Sequence, residues 1–153
     1  MTIAASVEEY SKARLRRVVS RLKAHGYRMT PQRAAVVREL VTSTEHPSAQ
    51  SLYERLAQQF PMMSLATVYK TIALLKELGE VIELPVECDG MHFDGRRPDA
   101  HPHVICTHCG RIVDIEVDEI EALTRRVASQ AGFASVSHRL DFWGVCARCQ
   151  AEE

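Results

Sequence analysis

Nothing in this chain approaches the ~20 consecutive apolar residues that a membrane-crossing helix requires. The opening stretch MTIAASVEEYSKARLRR has no apolar signal-peptide core, so the expectation is a cytoplasmic protein with no membrane partner. There is no internal repeat, no low-complexity tract, no HExxH pattern and no nucleophile motif. Net charge is almost missing too, at -1 over 153 residues, but that figure hides an asymmetry. Residues 1–80 carry 12 Lys and Arg against 7 Asp and Glu, whereas residues 81–153 carry 7 against 13. The first half therefore suits a polyanion and the second does not. What is present, 46% apolar and 25% charged residues, is the composition of an ordinary globular protein of one compact domain or two small ones.

Periodicity lays out the first half as helices. Leu15, Val18, Val19 and Leu22 recur at helical spacing between Glu8 and Lys23, with Lys12, Arg14, Arg16, Arg17 and Arg21 among them, and Gly26 ends this basic amphipathic helix. Thr30-Pro31 caps a second helix carrying Val36, Val37, Leu40 and Val41, which His46-Pro47 breaks. Ser48 caps a third with Leu52, Tyr53, Leu56 and Phe60 buried, closed by Pro61. Ser64 caps a fourth, with Leu65, Val68, Ile72 and Leu75 as its apolar stripe and Gly79 as its stop. Strands at Val81–Leu84 and Met91–Asp94 flank an Asp89-Gly90 turn. Helices followed by a two-stranded ribbon make a winged helix-turn-helix, whose last helix enters the DNA major groove.

After a polar hinge at Gly95–Ala100, strands are expected around His103–Cys106 and Arg111–Glu116. A helix follows from Asp118 to about Ala131, capped by Asp118 with Glu121 at the capping-box position and stopped by Gly132. A long last strand, Phe133–Val145, alternates with Ala134, Val136, His138, Leu140 and Phe142 on one face. The fold class is thus α+β: an N-terminal winged helix-turn-helix and a small C-terminal α/β domain with a four-cysteine zinc site.

Four of the five cysteines form two knuckles, Cys106-x-x-Cys109 and Cys146-x-x-Cys149, and two such knuckles complete the tetrahedral thiolate set of structural Zn²⁺. A dithiol redox pair is the competing reading, and two pairs in one cytosolic chain favour zinc over it. Cys88 has no partner in this pattern, and His108 lies inside a knuckle. His101 and His103 share a side of an extended chain, and Asp94, Asp114 and His46 stand where they could converge on them. Such a nitrogen/oxygen set suits Fe²⁺, Mn²⁺ or Zn²⁺. Taken singly, each has a duller reading as a solvated strand-end acid or loop imidazole, and His138 has apolar neighbours. A metallohydrolase would use the same cluster, but no general base exists beyond the ligands. A zinc-stapled interaction module would leave the basic first half unexplained.

The segments His46-Pro-Ser-Ala, Ser64-Leu-Ala-Thr-Val-Tyr69 and His101-Pro-His103-Val-Ile-Cys106-Thr-His-Cys109-Gly resemble the ferric uptake regulator (Fur) family, over about Gly26 to Cys149. The resemblance implies a homodimeric, metal-dependent repressor binding AT-rich palindromic double-stranded DNA. It implies a winged-helix DNA-binding domain over residues 1–94, a hinge over 95–100 and a metal-binding dimerisation domain over 101–153. One structural Zn²⁺ per subunit would sit on Cys106, Cys109, Cys146 and Cys149. The pattern is most similar to the peroxide-responsive (PerR-like) branch, whose three-histidine, two-aspartate regulatory site maps onto His46, Asp94, His101, His103 and Asp114. Iron-uptake members typically have glutamate at the positions of Asp94 and Asp114 and an additional site, which Ala100 and Pro102 dismantle here. Fe²⁺ in the regulatory site would sense hydrogen peroxide through oxidation of His46 or His101, and Mn²⁺ would hold the repressor closed without sensing. An iron- or zinc-uptake repressor is the alternative within the family. Tyr69 and Lys70 on the recognition helix and Arg28 before the second helix carry over as DNA contacts, with Thr67 and Arg33 beside them.

Overall fold

The computed structural model describes residues 3–152, with side chains from Val7 onward. It divides into two compact units, Met1–Pro85 with Gly90–Pro98, and Val86–Asp89 with Asp99–Glu153.

The first unit holds α1 (Ile3–Ala24), α2 (Pro31–Thr42), α3 (Ala49–Ala57) and α4 (Leu65–Glu77), and its chain continues into a two-stranded ribbon, β1 (Ile82–Val86) and β2 (Gly90–Asp94). Three of the helices start where a hydroxyl satisfies a first-turn amide that has no partner within the helix. Thr30 accepts from the Arg33 amide, Ser48 from Ser51 and Ser64 from Thr67, as their positions before the apolar periodicity predict. The core is continuous: Val18 and Leu22 of α1, Val36, Val37, Leu40 and Val41 of α2, Leu52 of α3, and Val68, Ile72 and Leu75 of α4 are buried together with Phe93 of β2. α3 ends at Ala57, short of Phe60, which packs against the core as a partly buried residue from the following turn.

The basic helix α1 is less uniform than its charge suggests. Arg14 is 2% exposed, and its guanidinium makes a short ion pair with Glu80, which Arg21 also contacts. Burial pushes the Glu80 carboxyl up, and the two guanidiniums more than offset this, holding it below the usual carboxylate range. This cluster's contribution is therefore present above the ordinary carboxylate range and is lost as pH falls through the lowered value. Arg14 thus belongs to the interior, while Arg16 and Arg17 remain on the surface.

The second unit contains β3 (His103–Cys106), β4 (Ile112–Asp114), α5 (Glu119–Ala131), β5 (Asp141–Gly144) and the short α6 (Ala147–Gln150). Its sheet order is β4-β3-β5, antiparallel on one side of β3 and parallel on the other. Two expectations fail here. The strand predicted over Phe133–Val145 shrinks to Asp141–Gly144, because β3 offers only four residues of edge and residues 133–140 find no strand to pair with. Asp118 makes no side-chain cap, since its own backbone is already helical at φ -62° and ψ -28°, whereas a capping residue is extended. Gly132 does stop α5, in the left-handed conformation at φ 70°. α5 buries none of its residues within the chain. Among the described residues, no helix is long and apolar enough to cross a membrane.

Leu40 is fully buried in the first unit's core. Leu40→Ala is expected to destabilise that unit by about 2–5 kcal/mol, seen as a lower urea midpoint, while zinc content stays unchanged.

Candidate metal centres and nucleic-acid interface

The cysteine cluster follows from strand register. β3 ends on Cys106 and β5 runs parallel beside it, so the knuckle after each strand opens at the same end of the sheet. The Cys146 amide donates to Cys106 Sγ at 3.4 Å, tying one knuckle to the other. Cys106 and Cys149 sulfurs are 4.0 Å apart, Cys109 and Cys146 sulfurs 3.8 Å, and all four lie within 4.8 Å of one another. These are not disulfide distances, for which S–S is about 2.05 Å. Four sulfurs placed ~2.3 Å from one ion at tetrahedral angles stand about 3.8 Å apart. The set fits Zn²⁺.

Its electrostatics fit as well. Backbone amides of Cys109 and Cys146 point at Cys106 and lower its thiol to about 5, making it a thiolate at neutral pH. Burial, then the neighbouring sulfurs, push the Cys149 thiol up to about 12. Four thiolates cannot share this space without a cation, and a bound divalent ion removes the conflict. Cys88 is exposed and lies outside the four-sulfur group.

The histidines and aspartates are found in both units. In the first, His46 precedes Pro47 in the left-handed region at φ 51°, a strained backbone for a non-glycine residue. His92 Nδ1 donates to the His46 carbonyl at 2.5 Å and holds that conformation. Asp94, the last residue of β2, accepts from the amides of Arg96 and Arg97 on Oδ1, at 2.9 and 3.0 Å. Its other oxygen, Oδ2, faces His46 Nε2 at 3.6 Å.

In the second unit, His101 and His103 flank Pro102 and lie side by side, with ring centroids 4.3 Å apart and ring planes tilted by 51°. The two imidazoles are 6% and 2% exposed. Both Nε2 atoms approach Asp114 Oδ1, at 3.5 and 3.7 Å. Each ring is oriented from behind through Nδ1, His101 by the Asp99 carbonyl at 2.7 Å and His103 by Asp141 Oδ1 at 3.3 Å. Asp141 is itself steadied by Arg139 at 2.9 Å. A proton on each Nδ1 leaves each Nε2 with its lone pair, the tautomer a metal ligand needs.

Separations of 3.5 to 3.7 Å in both units exceed a normal hydrogen bond. Donors ~2.1 Å from a common ion stand roughly 3.0–3.4 Å apart, close to what these pairs show. The nitrogen/oxygen donors suit a first-row divalent ion.

Sequence reasoning missed the supporting groups. Asp141 is invisible without the parallel register that sets it opposite His103. His92 carried no signal beyond its imidazole. His138 Nδ1 faces Thr124 Oγ1 at 3.3 Å, His108 is exposed, and neither belongs to a metal-ligating group among the described residues.

On α4, Tyr69 is 54% exposed, so it is not a core aromatic, and Lys70 beside it is exposed too. Thr67 is partly engaged in capping α4. Arg28 is exposed, and Arg33 donates to the Arg28 carbonyl.

Comparison with known proteins agrees. The model of the family described as "Ferric uptake regulator family" matches residues 24–143. The peroxide-responsive repressor PerR of Staphylococcus aureus is 36% identical over 132 residues, 86% of this chain and 88% of that protein. Among solved structures, the Helicobacter pylori ferric uptake regulator Fur superposes with a TM-score of 0.77 at 26% identity, covering 92% of this chain and 93% of that chain. PerR from Streptococcus pyogenes gives 0.51 at 32% identity, covering 89% and 92%.

Because Cys149 is protonated at neutral pH without metal, zinc uptake by the stripped protein should release protons and tighten as pH rises towards 12. Elemental analysis should find one zinc per chain and little in Cys109→Ser. Zinc uptake without proton release would contradict the assignment.

Proposed function

From the premise that this chain belongs to the ferric uptake regulator family, whose members are transcriptional regulators, we propose that it is a metal-dependent DNA-binding repressor that senses peroxide. One regulatory ion takes His46 and Asp94 from the first unit and His101, His103 and Asp114 from the second. The observation that favours the peroxide-responsive branch is the carboxylate pair: Asp94 and Asp114 are both aspartates, and each faces histidine Nε2 atoms. Identity of 36% to a peroxide-responsive repressor over most of the chain supports the same reading.

The residues have distinct tasks. Asp94 and Asp114 supply charge to bind a divalent ion, and the three imidazoles complete a mixed donor set. Fe²⁺, held there by these five residues, would supply the redox catalysis that activates hydrogen peroxide, the two electrons coming overall from the oxidised imidazole, and Mn²⁺ would not supply that chemistry. The imidazole of His46 or His101 receives one peroxide oxygen atom at C2 and the other leaves in water, a net gain of 16 mass units. The oxidised ring donates poorly, so the affinity that joined the two units is lost. Metal loading and DNA binding are thereby coupled through one equilibrium. The hinge is proposed within residues 95–100, joining a DNA-binding domain over 1–94 to a dimerisation domain over 101–153, and the division between the two units falls at Pro98–Asp99.

DNA binding is assigned to α4, where exposed Tyr69 meets thymine methyls and Lys70 meets phosphate, with Thr67, Arg28 and Arg33 flanking. The operator is proposed to be AT-rich and palindromic, which a homodimer with two α4 helices would match. A second copy explains the apolar surface of the second unit. Leu123 and Val127 lie one turn apart on α5 and are exposed, as are Phe133, Val113 and Phe142. The cytoplasm is the proposed location, in keeping with a DNA target.

The test is operator binding with Fe²⁺ and with Mn²⁺, before and after peroxide, followed by mass spectrometry of the peptides containing His46 and His101. Release only from the iron form, with a gain of 16 mass units on either histidine, is expected. Metal-dependent binding insensitive to peroxide would leave an iron- or zinc-uptake repressor instead. Lys70→Ala should weaken operator and non-operator DNA alike and reduce the salt slope by about one.

A further inference from the structure

One buried cluster of the first unit has no part in the proposed function so far. Arg14, almost completely buried on α1, directs both Nε and Nη2 at the carbonyl of Gly95, at 3.2 and 3.0 Å. Nη2 also donates to the Glu80 carbonyl at 2.9 Å, and Nη1 pairs with the Glu80 carboxylate. The other side of Gly95 is equally constrained. A β-carbon there would stand 3.0 Å from the Leu40 carbonyl oxygen and 3.1 Å from Leu40 Cβ, so the glycine is pressed against α2. The Gly95 peptide is thus gripped from two helices.

That peptide includes the Arg96 amide. A peptide unit is planar, so fixing the Gly95 C=O fixes the direction of the Arg96 N–H. The same N–H donates to Asp94 Oδ1 at 2.9 Å, and the next amide, Arg97, donates to that oxygen at 3.0 Å. With Oδ1 held, Oδ2 is turned to His46 Nε2. One rigid group therefore carries the guanidinium's hold on one face and the carboxylate's on the other. The Arg96 carbonyl is in turn held by the Tyr10 hydroxyl of α1 at 3.3 Å.

We propose that Arg14 is a positioning residue for the metal ligand Asp94, acting through the Gly95–Arg96 peptide, with Glu80 holding the guanidinium in place. α1 thereby becomes part of the scaffold of the regulatory centre. Simple adhesion of α1 to the core does not require this arrangement, because a well-packed apolar pair often replaces a buried ion pair without loss of stability. What an apolar pair lacks is a set of directed N–H groups for a carbonyl. The inference rests on the reading of Asp94 as a ligand.

The test is a double-mutant cycle on the full-length, zinc-loaded chain. Mn²⁺ affinity is followed by loss of the free-ion electron spin resonance signal, alongside thermal unfolding of the Mn²⁺-free protein. Arg14→Met/Glu80→Met removes the pair without leaving a buried orphan charge, since Arg21, which also contacts Glu80, is half exposed. It should weaken Mn²⁺ binding by roughly 10-fold or more, the usual effect of losing a group that orients a ligand. In an Asp94→Asn background the same change should cost less than about two-fold, because a residue that acts through Asp94 has nothing left to position. Arg14→Lys, which keeps the charge but not the planar fork, supplies the same cycle if the double variant does not fold. Undiminished affinity in the native background, or losses that add in the Asp94→Asn background, would overturn the role of Arg14. If Asp94→Asn alone leaves Mn²⁺ affinity unchanged, Asp94 is not a ligand and the proposed regulatory site fails with it.

Discussion

The second unit depends on four sulfur atoms. Its longest helix buries nothing within the chain, and among the described residues its buried apolar side chains are Val86, Ile105, Ile112 and two of the cysteines themselves. So small a core cannot offset the entropy of ordering about sixty residues. A zinc ion closed by Cys106, Cys109, Cys146 and Cys149 supplies folding free energy directly, as small metal-stapled domains do. It also fixes a register, because both knuckles meet only if β5 lies parallel to β3. That register sets Asp141 opposite His103 and so decides which nitrogen of the imidazole faces Asp114. The four-cysteine centre thus prepares the proposed regulatory one.

The first unit achieves the same end differently. It has a full apolar core, and the proposed ligands His46 and Asp94 are not members of that apolar cluster. His46 sits in a strained conformation at a helix break with its carbonyl held by the His92 imidazole, and Asp94 at the end of a strand with its carboxylate held by two backbone amides; both are buried. Strain at a ligand is tolerated because the surrounding core over-determines it. The proposed function uses the difference between the units: one is stapled, the other is packed, and an ion that needs donors from both converts metal occupancy into a restraint on the DNA-binding half.

Much of this could be read from residue order. The three hydroxyl caps and the two knuckles are local signals, set by neighbours a few positions away, and each was legible at Thr30, Ser48, Ser64 and the cysteine pairs. The donor residues were legible as types, with His101 and His103 on one side of an extended chain. What failed was non-local or conformational. Alternation through 133–145 resembled a strand, but a strand exists only where a partner edge is available, and β3 begins at His103, opposite Asp141, with Pro102 before it. Asp118 had the chemistry of a cap without the backbone angles. Arg14 looked like one more surface cation, since nothing nearby in sequence announces a Glu80 carboxylate or a Gly95 carbonyl. Asp141 was hidden for the same reason.

The central claim is that one ion is ligated from both units. Electron spin-echo spectroscopy of the Mn²⁺-loaded protein counts imidazole nitrogens on the metal directly. The account predicts three, falling to two in His46→Ala with the couplings of His101 and His103 retained. Two imidazoles in the unaltered protein, unchanged by His46→Ala, would contradict it.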